Sequence, residues 1–249
     1  MNSNSVILEG IISIEAAIDS ENREILEVFI DKEKVKKRDR KAVYFTSLLK
    51  KKEIPYTLCD REHIDSLTAG NTHGGFAARV SERSYSSLSE LLDSLNDGEY
   101  VTMLDGVEDP FNFGYSIRNL FAFGCRGFII PERNWMSAAN IVARASAGAS
   151  ERCLFAVSKD DADLVSLLKE KKIDIVCSAL SPESVSLFNF RPSSAFVLFI
   201  GGEKRGISKE IFENTDKVVH IPYSNENAKY SLPTASCAAI FGSYLSSLK

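Results

Sequence analysis

Apolar positions along the chain follow two rhythms. In the first third, short β-rich runs recur at Val28-Phe29-Ile30, Ile54-Pro55-Tyr56-Thr57 and Phe76 to Val80. Between them Ala42 to Leu49 and His63 to Leu67 carry the three-to-four-residue spacing of a helix. This alternation predicts a small α/β unit. Ser81 to Ser94 is polar and serine-rich, with a Leu88/Leu91/Leu92/Leu95 stripe, and predicts a connecting helix.

From Tyr100 onward the apolar runs become continuous. Val101 to Leu104, Gly127 to Ile130, Leu154 to Val157, Ile173 to Cys177, Phe196 to Ile200 and Val218 to Ile221 read as buried strands. Helical segments lie between them, and a last helix is expected from about Thr234 to Ser247. Strands without alternation, each followed by a helix, imply a parallel sheet covered on both faces. The expected organisation is therefore a small α/β domain at 1–84, a linker helix at 85–98 and a larger α/β domain at 99–249. In parallel sheets ligands sit at the carboxyl ends of the strands, which directs attention to the loops after Leu104, Cys177, Ile200 and Ile221.

Composition changes this picture little. A hydrophobic fraction of 44% with 26% charged residues belongs to a globular chain with a proper core, not a disordered one. The start is polar and the apolar stretch Val6 to Ile14 is broken by Glu9 and Gly10, so neither a signal peptide nor a spanning helix fits and a cytoplasmic location is expected. The five cysteines are odd in number and far apart, which suits reduced, buried thiols, and no Cys/His pair has zinc-ligand spacing, so no metal is expected. A catalytic thiol beside one of the three histidines stays open as an alternative. Charge is local. The net charge is −4, yet Lys32 to Lys52 holds ten basic residues against Glu33 and Asp39, so this segment is +8 and the rest −12. Such asymmetry fits a phosphate-facing arm as well as a solvated helix face.

Three loops could carry a site. The first runs from Leu104-Asp105 through Pro110-Phe111-Asn112-Phe113-Gly114 into a helix with Arg118. Asn112 suits an N-cap. Arg118 is expected near the helix start, where the dipole disfavours a cation, so a carboxylate or an anionic or hydroxyl-bearing substrate should hold it. The second, Gly201-Gly202-Glu203-Lys204-Arg205-Gly206-Ile207-Ser208, fails both phosphate-loop patterns and leaves a glycine turn with one acid, Glu203. The third runs from Ile221-Pro222 to Ser231-Leu232-Pro233 and opens a helix rich in small residues.

In this order and spacing the loops resemble the three motifs of the SpoU/TrmH family of RNA ribose methyltransferases, within the SPOUT superfamily. Asn112-x-Gly114-x-x-x-Arg118 matches motif one, Gly201-x-Glu203-x-x-Gly206-Ile207 is similar to motif two, and Ile221-Pro222 with Ser231-Leu232 to motif three. Leu8-Glu9-Gly10, Glu15-Ala16 and His73-Gly74-Gly75-Phe76-Ala77 resemble, more loosely, the family's small substrate-binding domain. The resemblance implies a SPOUT-type parallel sheet with a C-terminal trefoil knot, a rare exception to the rule against knotting. It also implies S-adenosylmethionine held around Gly201, Ile221 and Leu232, with Ser178-Ala179-Leu180 nearby. A homodimer with Asn112 and the last helix near the partner follows, as does an RNA substrate, ribosomal rather than transfer. The reaction would be attack of a ribose 2′-hydroxyl on a sulfonium methyl. Arg118 would position that hydroxyl and stabilise the developing alkoxide, arginine being a poor base at its ordinary pKa. Glu203 would hold Arg118 or polarise a neighbour, and Asn112 would fix the loop.

One departure stands out. The family usually has Ser-Leu-Asn where this chain has Ser231-Leu232-Pro233, and the loop from Ile221 is about two residues longer, which points to Asn225 or Asn227 as a replacement amide. Two rivals follow: an RNA-binding relative that keeps the knotted dimer without methyl transfer, and a flavodoxin-like small-molecule enzyme. The latter leaves the basic segment and the extra domain unexplained.

Overall fold

The computed structural model describes residues 5–69, 72–132, 138–225 and 230–248. The chain opens with β1 (Ser5–Glu9), α1 (Ile11–Ser20), β2 (Ile25–Asp31), α2 (Lys32–Lys36), α3 (Arg40–Lys51), β3 (Tyr56–Cys59), α4 (Arg61–Leu67) and β4 (Phe76–Ser81). The four strands pair in the order β1-β4-β2-β3, antiparallel except for β2 with β3. One sheet face buries Leu8, Val28, Ile30 and Ala78 against Ile14 of α1 and Phe45 and Leu49 of α3. Phe29, Ile64 and Ala77 form a smaller core on the other. β1 and α1 were not expected. α1 buries Ser13, Ile14 and Ala16 to Ile18, and a helix enclosed on most sides shows little amphipathic period.

The chain continues through α5 (Leu88–Asp93), β5 (Tyr100–Asp105), α6 (Pro110–Ala122), β6 (Gly127–Pro131), α7 (Ala139–Ala145) and α8 (Ala149–Arg152). It ends with β7 (Leu154–Ser158), α9 (Asp161–Glu170), β8 (Asp174–Ser178), β9 (Val185–Ser186), β10 (Phe196–Gly201), α10 (Lys209–Glu213), β11 (Lys217–His220) and α11 (Thr234–Ser246). Seven strands form an all-parallel sheet in the order β7-β6-β5-β10-β8-β11-β9. Its core includes Val101, Met103, Ile175, Val197 and Phe199. The fold is thus the expected mixed α/β arrangement with a parallel sheet and a smaller amino-terminal unit.

The two compact units do not divide as the sequence suggests. One contains residues 5–84 together with 138–152, the other 85–132 with 153–248. α5, expected as a linker helix, carries a Ser87/Glu90 capping box and buries Leu91 and Leu92 in the core of the second unit. α7 and α8 belong to the first unit, where Ala143 joins the core and Gly148, at φ +79°, lies so close to Ala16 and the Ile12 carbonyl that a side chain would collide. Arg23 Nε donates to Glu151 Oε2 at 2.7 Å, with side chains 6% and 1% exposed. Arg144 likewise donates to buried Glu9 at 3.0 Å.

Candidate active site

α6 begins earlier than its apolar pattern shows. Asp109 is the N-cap, its carboxylate accepting from Asn112 N at 2.8 Å, and Pro110 fills the first helical position, where no amide hydrogen is needed. Asn112, expected as the cap, instead sits inside the first turn, which frees its side chain. Its Nδ2 donates to Glu203 Oε1 at 3.2 Å.

Arg118 is the ninth of thirteen residues in α6, not near its start, so the dipole argument for a bound partner does not apply. Six residues of helix place it about 9 Å along and about 120° around from Asn112. It is exposed, with no hydrogen-bond or ion-pair partner among the described residues. Asn112 and Glu203 are therefore brought together, and Arg118 makes no hydrogen bond or ion pair with either.

The loops after β5 and β10 interlock. Gly202 N donates to Asp105 O and Ser208 N to Asp105 Oδ2, both at 2.6 Å. A side chain at Gly202 would run into the Gly106 carbonyl, and Gly206 takes φ +69° as its amide donates back to Gly202 O. These contacts explain the glycine turn of the second loop. Burial raises the Asp105 carboxyl above the ordinary carboxylate range, outweighing the opposing hydrogen bond from Ser208 N.

The described residues of the third loop are tied to one another and to β10. Leu232 N donates to Tyr223 Oη at 3.2 Å, and Thr234 Oγ1 donates to Gly201 O at 3.3 Å, tying the start of α11 to β10. Asn119 Nδ2 donates to Ala235 O at 3.0 Å, and Gly242 lies against Phe123, so α11 rests on α6. Pro233 is the N-cap of α11 and supplies no side-chain cap.

Two adjoining cavities, about 350 and 710 Å³, open at these strand ends and share Ser178, Ala179, Ser231, Leu232 and Cys237. Gly201 lines the first, Ile221 and Asn225 the second, and Leu232 both; Asn227 lies outside the described residues. Beside them is a recess of about 80 Å³ lined by Asn112, Glu203 and Thr234. Pro222 of the third motif also lines the larger cavity, as do His220 and Tyr223, which were not singled out from the sequence although they flank that motif. The cysteines are free thiols, three of them buried. Burial pushes Cys177 up to about 11 and also raises Cys59 and Cys237, the wrong direction for a nucleophilic thiolate. Among the described residues no group of three or more His, Cys, Asp or Glu side chains could hold a metal ion, and no helix is long and apolar enough to cross a membrane.

Comparison with known proteins adds independent findings. The model of the SpoU rRNA Methylase family matches residues 99–242, and that of RNA 2′-O ribose methyltransferase substrate binding matches residues 7–86. The 23S rRNA (guanosine-2′-O-)-methyltransferase RlmB of Yersinia pestis is 27% identical over 240 residues, covering 95% of this chain and 96% of that protein. The protein of the same name from Escherichia coli K12 is 25% identical over 240 residues, covering 95% and 97%. Among solved structures, the SpoU methyltransferase AviRb from Streptomyces viridochromogenes superposes with a TM-score of 0.78 at 17% identity, covering 98% of this chain and 90% of that one. An AdoMet-bound rRNA methyltransferase from Sinorhizobium meliloti gives 0.75 at 22% identity, covering 98% and 87%. At such identities the superpositions establish the fold.

Proposed function

Because the chain belongs to the SpoU rRNA methylase family, we propose that it transfers a methyl group from S-adenosylmethionine to a ribose 2′-hydroxyl of 23S ribosomal RNA. The observation that carries this reading is the convergence of the second and third motif loops on one pair of cavities at the carboxyl end of a parallel sheet, with the first motif loop lining the recess beside them. Relatives named for 23S rRNA methylation run nearly the full length of the chain, which favours ribosomal over transfer RNA.

The cavity chemistry fits the cofactor. Ile207, Ile221 and Leu232 offer apolar walls that would suit an aromatic base, Ser178 and Ser231 offer hydroxyls, and Glu203 offers a carboxylate whose charge would suit a cationic sulfonium. When bound, the cofactor supplies an electrophilic methyl group. Gly201, Ile221 and Leu232 hold it, and Asn225 takes over the amide role left vacant by Pro233. Asn112 and Glu203 fix the motif-one and motif-two loops against each other. Arg118 orients the target hydroxyl and stabilises the developing alkoxide, for which a forked cation is suited. It needs no release from an existing ion pair, being exposed and unpartnered among the described residues.

The reading extends to the architecture. Residues 5–84 form the RNA-binding domain, and the methyltransferase domain carries a trefoil knot. Support for the knot comes from the described chain beyond β11: Thr234 bonds to Gly201 at the end of β10, and Asn119 of α6 bonds to Ala235, so α11 rests on α6. Two copies pair through the region of α6 and α11, with Asn112 and Arg118 near the partner, in the cytoplasm where the RNA is made.

Incubation of the purified protein with labelled S-adenosylmethionine and a 23S rRNA transcript tests the proposal. The expected product is a labelled nucleotide whose 3′ linkage resists alkaline hydrolysis, as 2′-O-methylation requires. Cofactor and RNA binding without transfer would instead support the non-catalytic relative suggested by Pro233.

A further inference from the structure

We propose that the outward face of α3, centred on Arg40, Tyr44, Ser47 and Lys51, is the surface by which the first unit docks RNA, with Tyr44 stacking on an unpaired base. The inference rests on the proposed RNA substrate and names the part of the unit that meets it. α3 buries Ala42, Phe45 and Leu49. At 100° per residue these three span about 60° of the helix, and Arg40, Ser47, Lys51 and Tyr44 fall on the opposite side. All are exposed or nearly so, with Tyr44 at 59% and neighbouring Val43 at 50%. An aromatic ring at the solvent pole of a helix does nothing for its own core, whereas it offers a flat apolar surface to a base.

The charges around the ring divide into two sets. Lys32, Lys34 and Lys36 are within 4 Å of Asp60, Asp39 and Glu33. The cations of α3 (Arg40, Lys41, Lys50 and Lys51) have no ion-pair partner among the described residues, and the helix contains no acid. Lys50 and Lys51 gain from the helix dipole at the carboxyl end. Arg40 and Lys41 occupy the first turn, where the dipole opposes them, so helix stability does not account for their position. An uncompensated cationic face around an exposed aromatic is complementary to a phosphate backbone with accessible bases, the pattern of single-stranded or loop RNA.

The test is direct binding of the full-length protein to a 23S rRNA transcript over a series of salt concentrations. Removing three phosphate contacts in Arg40→Gln/Lys41→Gln/Lys51→Gln is expected to flatten the slope of log affinity against log salt by about 2 to 3. The charge-matched Lys159→Gln/Lys172→Gln/Lys217→Gln, all exposed in the second unit, should leave it within 0.5 or so of wild type. Tyr44→Ala should weaken binding about 5- to 100-fold with little change in slope, and Tyr44→Phe should restore it. S-adenosylmethionine titration and thermal melting of each variant identify any that fail to fold. A wild-type slope in the first triple variant, an equal loss in the control triple, or no binding by the wild type overturns the proposal; the last result would favour an acidic protein on this face. Binding that responds as expected, without methyl transfer by the wild type, supports the docking surface while removing the catalytic reading.

Discussion

Asn112 and Glu203, 91 residues apart in the chain, meet side chain to side chain where the loops after β5 and β10 cross. A neutral amide here donates to an acid, fastening two of the three loops around the recess. If that pairing organises the site, removing either partner undoes the same arrangement. Asn112→Ala and Glu203→Ala should each lower kcat at least tenfold, and the double variant should be little worse than the poorer single one. Steady-state methyl transfer by all four proteins forms the cycle, and full additivity would refute the coupling.

Arg118→Ala should reduce transfer about 100-fold or more, the usual cost of losing a donor to a developing oxyanion. Its affinity for S-adenosylmethionine should stay within a few-fold. Equal losses of transfer and cofactor binding would assign Arg118 to the cofactor instead.

Leu232 faces both cavities, so Leu232→Arg places a long cation where an apolar wall stands. Calorimetric titration should show cofactor binding by the wild type and none by the variant, with both melting cooperatively. Undiminished binding would move the cofactor elsewhere.

Asp105 gives a pH prediction. Its folded pKa lies above the unfolded one, chiefly through burial, so the native state holds the proton more tightly. This side chain therefore contributes least to stability when ionised, and stability falls as pH rises through its raised pKa. Asp105→Asn keeps an acceptor for Ser208 N and removes that dependence. Urea unfolding from pH 4 to 7 should show a stability gain relative to wild type that grows with pH.

Arg23 and Glu151 test the discontinuous packing of the first unit. Glu151→Ala leaves a buried guanidinium without its counter-charge and should cost about 3–5 kcal/mol, read as a lower urea midpoint. Arg23→Met/Glu151→Leu should recover much of that loss. A neutral single variant would mean that α8 does not seat as described.

The parallel sheet was legible because its strands are near-continuous apolar runs; Phe196 to Ile200 and Gly127 to Ile130 announce buried strands without any partner in view. The three loops were legible because glycines and a Pro-bounded turn mark where the backbone must bend. The start of α6 was also written locally, in Asp109-Pro110, but Asn112 drew attention as the more familiar cap. The placement of Arg118 near the helix start erred for a related reason: the boundary was inferred from one local stretch. Nothing local could reveal that Glu203 turns to Asn112 or that Glu151 meets Arg23 across 128 residues, since a carboxylate looks the same in sequence whether solvated or paired. α7 and α8 carry an ordinary helical pattern, and only tertiary contact says which core receives them.

That excursion gives the chain a clock. The amino-terminal unit lacks α7 and α8 until synthesis passes residue 152, long after its own four strands have been made. At 5–20 residues per second the interval from residue 84 lasts roughly 3–14 s, during which Arg23 has no Glu151 and Glu9 no Arg144. A nascent chain in that window holds an unfinished core, so chaperone capture or proteolysis should concentrate there. Its closure would fall after β5 and β6 have been made and before β7 to β11, the remaining five strands of the second sheet.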